Sequence, residues 1–225
     1  MPSILLVRHA QASFGGENYD VLSDHGHTQV EALVRDLARR KIRIDEIVSG
    51  DLARQRDTAQ PIADAAGCEV RIDPRWNEYR TADVLAHHSD SDLRDERQPR
   101  DDTPPVSSRE FQGILEEALH AWIDAGPRGG TDEPWTAFAG RIADALRELT
   151  GRLESGRTAL VCTSGGPIAA ACVALLELPP AAFVRFNRVT VNAAVTKVVT
   201  GRGGTTLVSF NEHAHLEQGD LVTYR

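Results

Sequence analysis

Four apolar residues, Ile4-Leu5-Leu6-Val7, run directly into Arg8 and His9. A strand that is apolar at every position is covered on both faces, which is the habit of parallel sheets carrying helices on each side. A cation and an imidazole at its carboxyl end then stand where the strand leaves the core. In open α/β sheets that edge is where ligands bind. Arginine holds oxyanions through paired N–H groups. A histidine ring can act as nucleophile or proton carrier near neutral pH. The pair points to a phosphate site with a nucleophile inside it.

The rest of the chain alternates strand and helix patterns. Val30, Leu33, Val34 and Leu37 share one face of a helix over 26–41. Glu46-Ile47-Val48-Ser49 reads as a second strand, and Asp51 is placed to cap a helix that carries Ala59, Ile62, Ala63 and Ala66 inward and ends at Gly67. Glu69 to Ile72 is a third strand by its alternation. The pattern breaks from Tyr79 to Ser108, a stretch rich in Asp, Arg and Pro that includes Pro99, Pro104 and Pro105. Phe111, Ile114, Leu115, Ala118, Leu119, Trp122 and Ile123 then form one apolar stripe. After a turn at Gly126 to Gly130, Pro134 starts a helix with Phe138, Ile142, Leu146 and Leu149 inward. Thr158 to Thr163 is a second clear buried strand. Gly165 opens a helix bearing Ile168, Ala171, Cys172, Leu175 and Leu176, stopped by Pro179-Pro180. Ala193 to Thr200 and Thr205 to Phe210 form a hairpin around Gly201-Arg202-Gly203-Gly204. The expected fold is α/β: a three-layer α/β/α sandwich with a mostly parallel central sheet and a C-terminal antiparallel hairpin. We read 1–225 as one domain, with 79–130 as a helical and loop insertion serving as a lid over the site.

Composition narrows the function classes. A net charge of −8 over 225 residues argues against a general nucleic-acid or membrane-surface binder. The N-terminus carries no secretory pattern, and no apolar run approaches the roughly 20 residues that span a bilayer. Cys68, Cys162 and Cys172 are odd in number and show no metal or redox spacing. Cys162 and Cys172 read as buried thiols in a reducing cytoplasm. A small phosphorylated substrate is the expected partner, and a homodimer is left open.

Five segments in order resemble one family. Arg8-His9-Ala10 resembles an Arg-His-Gly signature, with Ala10 at the glycine. Leu22-Ser23-Asp24-His25-Gly26-His27-Thr28-Gln29 resembles Leu-Thr-x-x-Gly-x-x-Gln. Ser49-Gly50-Asp51-Leu52-Ala53-Arg54-Gln55-Arg56-Asp57-Thr58-Ala59 resembles Ser-x-x-Leu-x-Arg-Ala-x-x-Thr-Ala. Asn77-Glu78 resembles an acidic motif, and Val161-Cys162-Thr163-Ser164-Gly165-Gly166 resembles Val-x-Ser-His-Gly-Gly. Over about residues 3–215 the chain is similar to the histidine phosphatase (phosphoglycerate mutase-like) superfamily. The resemblance implies a phosphatase in which His9 is the nucleophile and passes through a phosphohistidine; no cofactor is expected, and no metal, since no His, Asp and Glu cluster has ligand spacing. It implies that Arg8 and Arg54, rather than Arg56, hold the phosphoryl group, and that Glu78 is the general acid. Ser164 falls where the family has its second histidine. Serine donates a hydrogen bond but carries no charge.

Ser164-Gly165-Gly166 still joins a strand to a helix N-terminus, whose N–H groups bind anions. A Gly-x-Ser-x-Gly hydrolase turn is absent, since Cys162 holds the first glycine position. Trp76, beside the acidic motif, reads as packing. His213 and His215 are two apart, too few for a metal site by themselves, and Asn211 to Leu216 resembles a C-terminal Asn-x-x-x-His-Leu element. The alternatives are a mutase-type phosphoryl transfer and a weakly active or inactive phosphate-binding module.

Overall fold

A computed structural model describes residues 1–13, 20–88 and 108–224. It divides into two compact units, Met1–Glu78 with Arg141–Arg225, and Tyr79–Gly140.

Six strands form one sheet in the first unit: β1 (Ser3–Arg8), β2 (Glu46–Ser49), β3 (Val70–Ile72), β4 (Thr158–Thr163), β5 (Val195–Gly201) and β6 (Gly204–Glu212), in the order β3-β2-β4-β1-β5-β6. β3, β2, β4 and β1 are parallel; β5 runs antiparallel to β1, and β6 to β5. Ser3 to Arg8 pair residue by residue with Thr158 to Thr163, so β1 and β4 end side by side. The mixed α/β sheet flanked by helices is the architecture read from the sequence.

Helices α1 (Asp24–Arg39) and α2 (Ala53–Ala66) cover one face. There Leu33, Leu37, Ala59, Ile62 and Ala63 pack with Leu5, Val7, Ile47, Leu160 and Cys162 into one buried cluster. The alternate residues Ile4, Leu6, Val48 and Val161 point the other way and are buried too, and α6 (Gly165–Leu175) lies against β1. Burial on both faces explains why these strands carry no polar position before their ends. α7 (Ala182–Val189) and the short α8 (Ala214–Glu217) complete this unit.

Element limits differ from the sequence reading where side chains intervene. α1 starts earlier than 26 because the Ser23 hydroxyl accepts the Gly26 N–H. It ends before 41, where Lys41 turns left-handed at φ 54°. Asp51 does not cap α2. Its carboxylate accepts the Asn77 side-chain N–H instead, and the α2 N–H groups of Ala53 and Arg54 go to the Asp20 carboxylate. Gly67 ends that helix as read, at φ 66°. α6 stops short of Pro179-Pro180 because Glu177 adopts φ 52°. Leu176, assigned to its inward face, is therefore exposed.

The second unit contains α3 (Thr81–Ala86), α4 (Ser108–Asp124) and residues 135–140 of α5 (Trp135–Arg152), whose remainder belongs to the first unit. α3 corrects the reading of 79–108 as patternless: Val84 is buried, and Asp83 accepts the Asp132 N–H. Pro99, Pro104 and Pro105 lie outside the described residues. Tyr79, Trp122, Trp135 and Phe138 form an aromatic cluster with centroids 5.4–5.9 Å apart. The Trp122 indole N–H donates to Glu133 O at 2.9 Å. Of the apolar stripe read from the sequence, Ala118, Leu119, Trp122 and Ile123 are buried, while Phe111, Ile114 and Leu115 are half-buried. Among the described residues no helix is long and apolar enough to cross a membrane.

Candidate active site

The parallel strands deliver three residues to their shared carboxyl edge. His9 follows β1, Ser164 follows β4 and Gly50 follows β2. The His9 N–H donates to Thr163 O at 2.7 Å and the Gly50 N–H to Cys162 O at 3.1 Å, so both are tied to β4, which Ser164 itself continues.

The His9 side chain is held at both nitrogens. Nδ1 lies 2.8 Å from Ala10 O, which can only accept, so this nitrogen carries the proton. Nε2 accepts from Arg54 Nε at 3.2 Å. The ring is nearly buried, at 5% exposure. Burial, then Arg54, then Arg8 hold its pKa well below the ordinary histidine value. A neutral imidazole with its lone pair on Nε2 is the form that attacks an electrophile. The main chain around it is equally fixed. Thr58 Oγ1 accepts the Ala10 N–H at 3.0 Å and donates to Arg54 O at 2.7 Å, while Asn192 Nδ2 donates to His9 O at 3.1 Å. Ala10 is fully buried in an apolar cluster with Leu22, Val30, Val191 and Leu216, which absorbs its methyl group.

Arg54 points inward from the first turn of α2, with its side chain 11% exposed. Asp20 orients it: Oδ1 accepts Nη1 at 2.6 Å, and Oδ2 accepts the Ala53 N–H at 2.8 Å. Arg56 faces solvent. Arg8 is anchored through Nη1 to the carbonyls of Thr190 and, at 3.0 Å, Tyr224. Gly165 lies close to it: a Cβ there would stand 3.0 Å from Asn187 Oδ1 and 3.8 Å from Arg8 Nε.

Glu78 is half-buried, and its Oε2 accepts the Gly166 N–H at 3.1 Å, at the start of α6. The segment before it is pinned. Arg141 Nη1 donates to Arg75 O at 2.6 Å and Asn77 O at 2.8 Å, and Trp76 O accepts Thr163 Oγ1 at 2.5 Å. Trp76 itself is fully buried, as its packing role requires. Ser164 is also fully buried, and its Oγ accepts Gln55 Nε2 at 2.8 Å.

The sequence-derived set Arg8, His9, Arg54, Glu78, Ser164 and Gly165 thus gathers around one sheet edge. His213 and His215 are spent on main-chain carbonyls, Nδ1 on Asn211 O at 2.6 Å and Nε2 on Ala193 O at 3.1 Å. Among the described residues no group of three or more His, Cys, Asp or Glu could hold a metal. Cys162 and Cys172 are buried, and burial raises both thiols, Cys172 to about 12. Sequence reasoning missed Asp20, Gln55, Asn192 and Arg141. Gln55 and Thr58 both lie in the segment that begins at Ser49, but only Thr58 matches the residue type of that motif.

The profile of the histidine phosphatase superfamily (branch 1) matches residues 4–213. The glucosyl-3-phosphoglycerate phosphatase of Mycobacterium tuberculosis (strain ATCC 25618 / H37Rv) is 28% identical over 204 residues, covering 79% of this chain and 77% of that one. The probable phosphoglycerate mutase GpmB of Enterobacter sp. (strain 638) is 32% identical over 104 residues, 44% of this chain; the chain spans about half of that relative, 47%. Among solved structures, a mutant phosphoserine phosphatase from Entamoeba histolytica in complex with phosphoserine has a TM-score of 0.68 at 20% identity, covering 96% of this chain and 100% of that one. The mycobacterial glucosyl-3-phosphoglycerate phosphatase has a TM-score of 0.65 at 24% identity, covering 94% and 99%. These structures share the fold.

Proposed function

This chain belongs to the histidine phosphatase superfamily, branch 1, and on that premise we propose that it hydrolyses a small phosphomonoester through a phosphohistidine at His9. The observation that carries the reading is the His9 ring: neutral by burial, protonated on Nδ1 toward Ala10 O, with Nε2 facing Arg54.

The phosphoryl oxygens take over the Arg54 N–H that Nε2 accepts; the freed lone pair attacks phosphorus, and the bond from phosphorus to the ester oxygen breaks. Glu78 gives its proton to the leaving oxygen. Water then attacks the phosphohistidine, Glu78 takes the proton back, and the N–P bond breaks to release phosphate and neutral His9. Two displacements replace one harder hydrolysis. Charge on the phosphoryl oxygens meets Arg8, Arg54, the Ser164 hydroxyl and the N–H groups that open α6, all positioned in advance. An incoming phosphoryl oxygen competes with Glu78 for the Gly166 N–H, which frees the carboxyl for the leaving group. Positive charge comes from the chain itself, so the scheme needs no metal. The buried free thiols of Cys162 and Cys172 suit a reducing cytoplasm.

Ser164 puts a neutral donor where the resemblance has a histidine, which makes this a slow phosphatase. It also favours a second reading, a phosphate-binding module with little turnover. The test is hydrolysis of p-nitrophenyl phosphate by wild type and His9→Ala, with rapid quench and mass spectrometry of the phosphorylated chain. Phosphoserine, glucosyl-3-phosphoglycerate and 3-phosphoglycerate, the compounds named for the relatives, form the first natural panel. Label on His9 and loss of turnover in His9→Ala are expected. Turnover that survives in His9→Ala, or label on Ser164, refutes the mechanism. Phosphate binding without turnover selects the second reading, and an isomerised phosphoglycerate without phosphate release selects a mutase.

A further inference from the structure

Arg54 and Gln55 are consecutive in the first turn of α2, and they serve two neighbouring strand ends. Arg54 reaches the His9 ring after β1, while Gln55 reaches Ser164 after β4. Gln55 is fully buried. Its Nε2 donates to Ser164 Oγ at 2.8 Å and to Trp76 O at 3.2 Å. A main-chain carbonyl can only accept, so Trp76 fixes which end of the amide faces the pair. Ser164 Oγ is then an acceptor from Gln55, and its own proton is turned elsewhere. Among the described residues Gln55 is the one partner of that hydroxyl.

The opposite end of the amide is wedged. Gln55 Oε1 is buried with no hydrogen-bond partner among the described residues, and a Cβ on Gly50 would lie 2.0 Å from it and 2.6 Å from Asn77 Oδ1. Only glycine at position 50 lets the carboxamide sit this deep. Stranding a buried carbonyl oxygen is unfavourable, so the arrangement calls for a return on the nitrogen side.

We infer that Gln55 is a positioning residue of the phosphoryl site: it makes Ser164 a dedicated donor to a phosphoryl oxygen and ties the 164–166 turn to the Trp76–Glu78 segment that bears the acid. The inference rests on the phosphatase reading. It also says that the space beside Ser164 is filled by the Gln55 carboxamide, which has about as many heavy atoms as a histidine at 164 would add.

The experiment uses vanadate inhibition and p-nitrophenyl phosphate turnover on the full chain. Gln55→Met keeps the length and removes the donor. It should weaken vanadate inhibition about fivefold to tenfold, as expected for one hydrogen bond, and lower kcat more than it raises KM. Ser164→Ala should show the same loss, and the double variant should be no worse than either, since both remove one interaction. Gln55→Asn keeps a buried amide but withdraws it by one methylene from Ser164, and should mimic Gln55→Met. It decides the matter if Gln55→Met does not fold. Ser164→His alone should slow turnover for lack of room, and adding Gln55→Ala should recover it. Multiplying losses for Gln55→Met and Ser164→Ala, or wild-type inhibition in both Gln55→Met and Gln55→Asn, would overturn the inference. If His9→Ala keeps its turnover, the phosphatase reading fails separately, and the vanadate cycle still decides Gln55 on binding alone.

Discussion

Replacing Arg54 with methionine keeps an unbranched stem and deletes the guanidinium. That group is held between Asp20, at 2.6 Å, and His9, at 3.2 Å, and is 11% exposed. Solvent therefore screens it weakly. A charge-assisted hydrogen bond contributes about 1.5–3 kcal/mol, so vanadate binding should weaken by about 10- to 150-fold. Arg56 is exposed two residues further along, and Arg56→Met should change binding about twofold or less. The pH profile gives an independent reading. Burial, Arg54 and Arg8 together depress the His9 pKa. Deleting Arg54 removes one of the two cationic contributions, so the pKa moves up. The attacking ring must be neutral, and kcat/KM falls as pH drops through that pKa. The acid limb of Arg54→Met should lie at higher pH than that of wild type. Steady-state rates with p-nitrophenyl phosphate between about pH 4.5 and about pH 8, with vanadate titrations at each point, measure both effects. Equal losses from Arg54→Met and Arg56→Met, or an unmoved acid limb, would refute the reasoning.

The same buried ring makes stability depend on pH. Below the unfolded histidine pKa of about 6.5, the unfolded chain binds a proton that folded His9 does not. Stability is therefore full above that pH and declines below it, by up to about 1.4 kcal/mol per pH unit from this group. His9→Gln should flatten the decline in urea midpoints by that amount, and an unchanged slope would argue for a protonated ring. Asp20→Ala removes the acceptor of the first α2 N–H groups and should cost about 1–2 kcal/mol. Asp51→Ala, at an exposed site, should cost about 0.5 kcal/mol or less; thermal melts in the reverse order would return the cap to Asp51. Turnover should survive EDTA. Loss restored by a divalent ion would bring His213 and His215 back as ligands.

What was legible in the chain follows a physical divide. Buried strands covered on both faces have no polar position to spare, so Ile4–Val7 and Ala159–Cys162 announce themselves. The polar residues that interrupt the first run, Arg8 and His9, mark the sheet edge for the same reason. Helical stripes and the left-handed Gly67 are local signals as well. Contacts between polar groups distant in sequence leave no period. Asp20 reaches Ala53 across 33 residues, and Gln55 reaches Ser164 across 109. Asp51 stood at the right offset for a cap and lost the role to a group that no window around α2 contains. α3, with six residues, is too short to show a helical period inside a charged stretch. Choosing Arg54 over Arg56 needed the family resemblance, because periodicity does not say which face of the first turn meets another strand end.

The register of β1 has a consequence for how the chain is made. Both neighbours of β1, and the central neighbour of β2, come from the far part of the sequence, at Thr158–Thr163 and Val195–Gly201. About 155 residues of synthesis separate Arg8 from its partner Thr163. At about 5–20 residues per second, that interval is roughly 8–30 s. Throughout it, Ile4–Val7 is an apolar strand with both hydrogen-bonding edges open, the form that templates association between nascent chains. Chaperone occupancy on the ribosome should therefore persist until β4 emerges. Fragments ending before Thr158 should aggregate even though they contain His9, both arginines and Glu78.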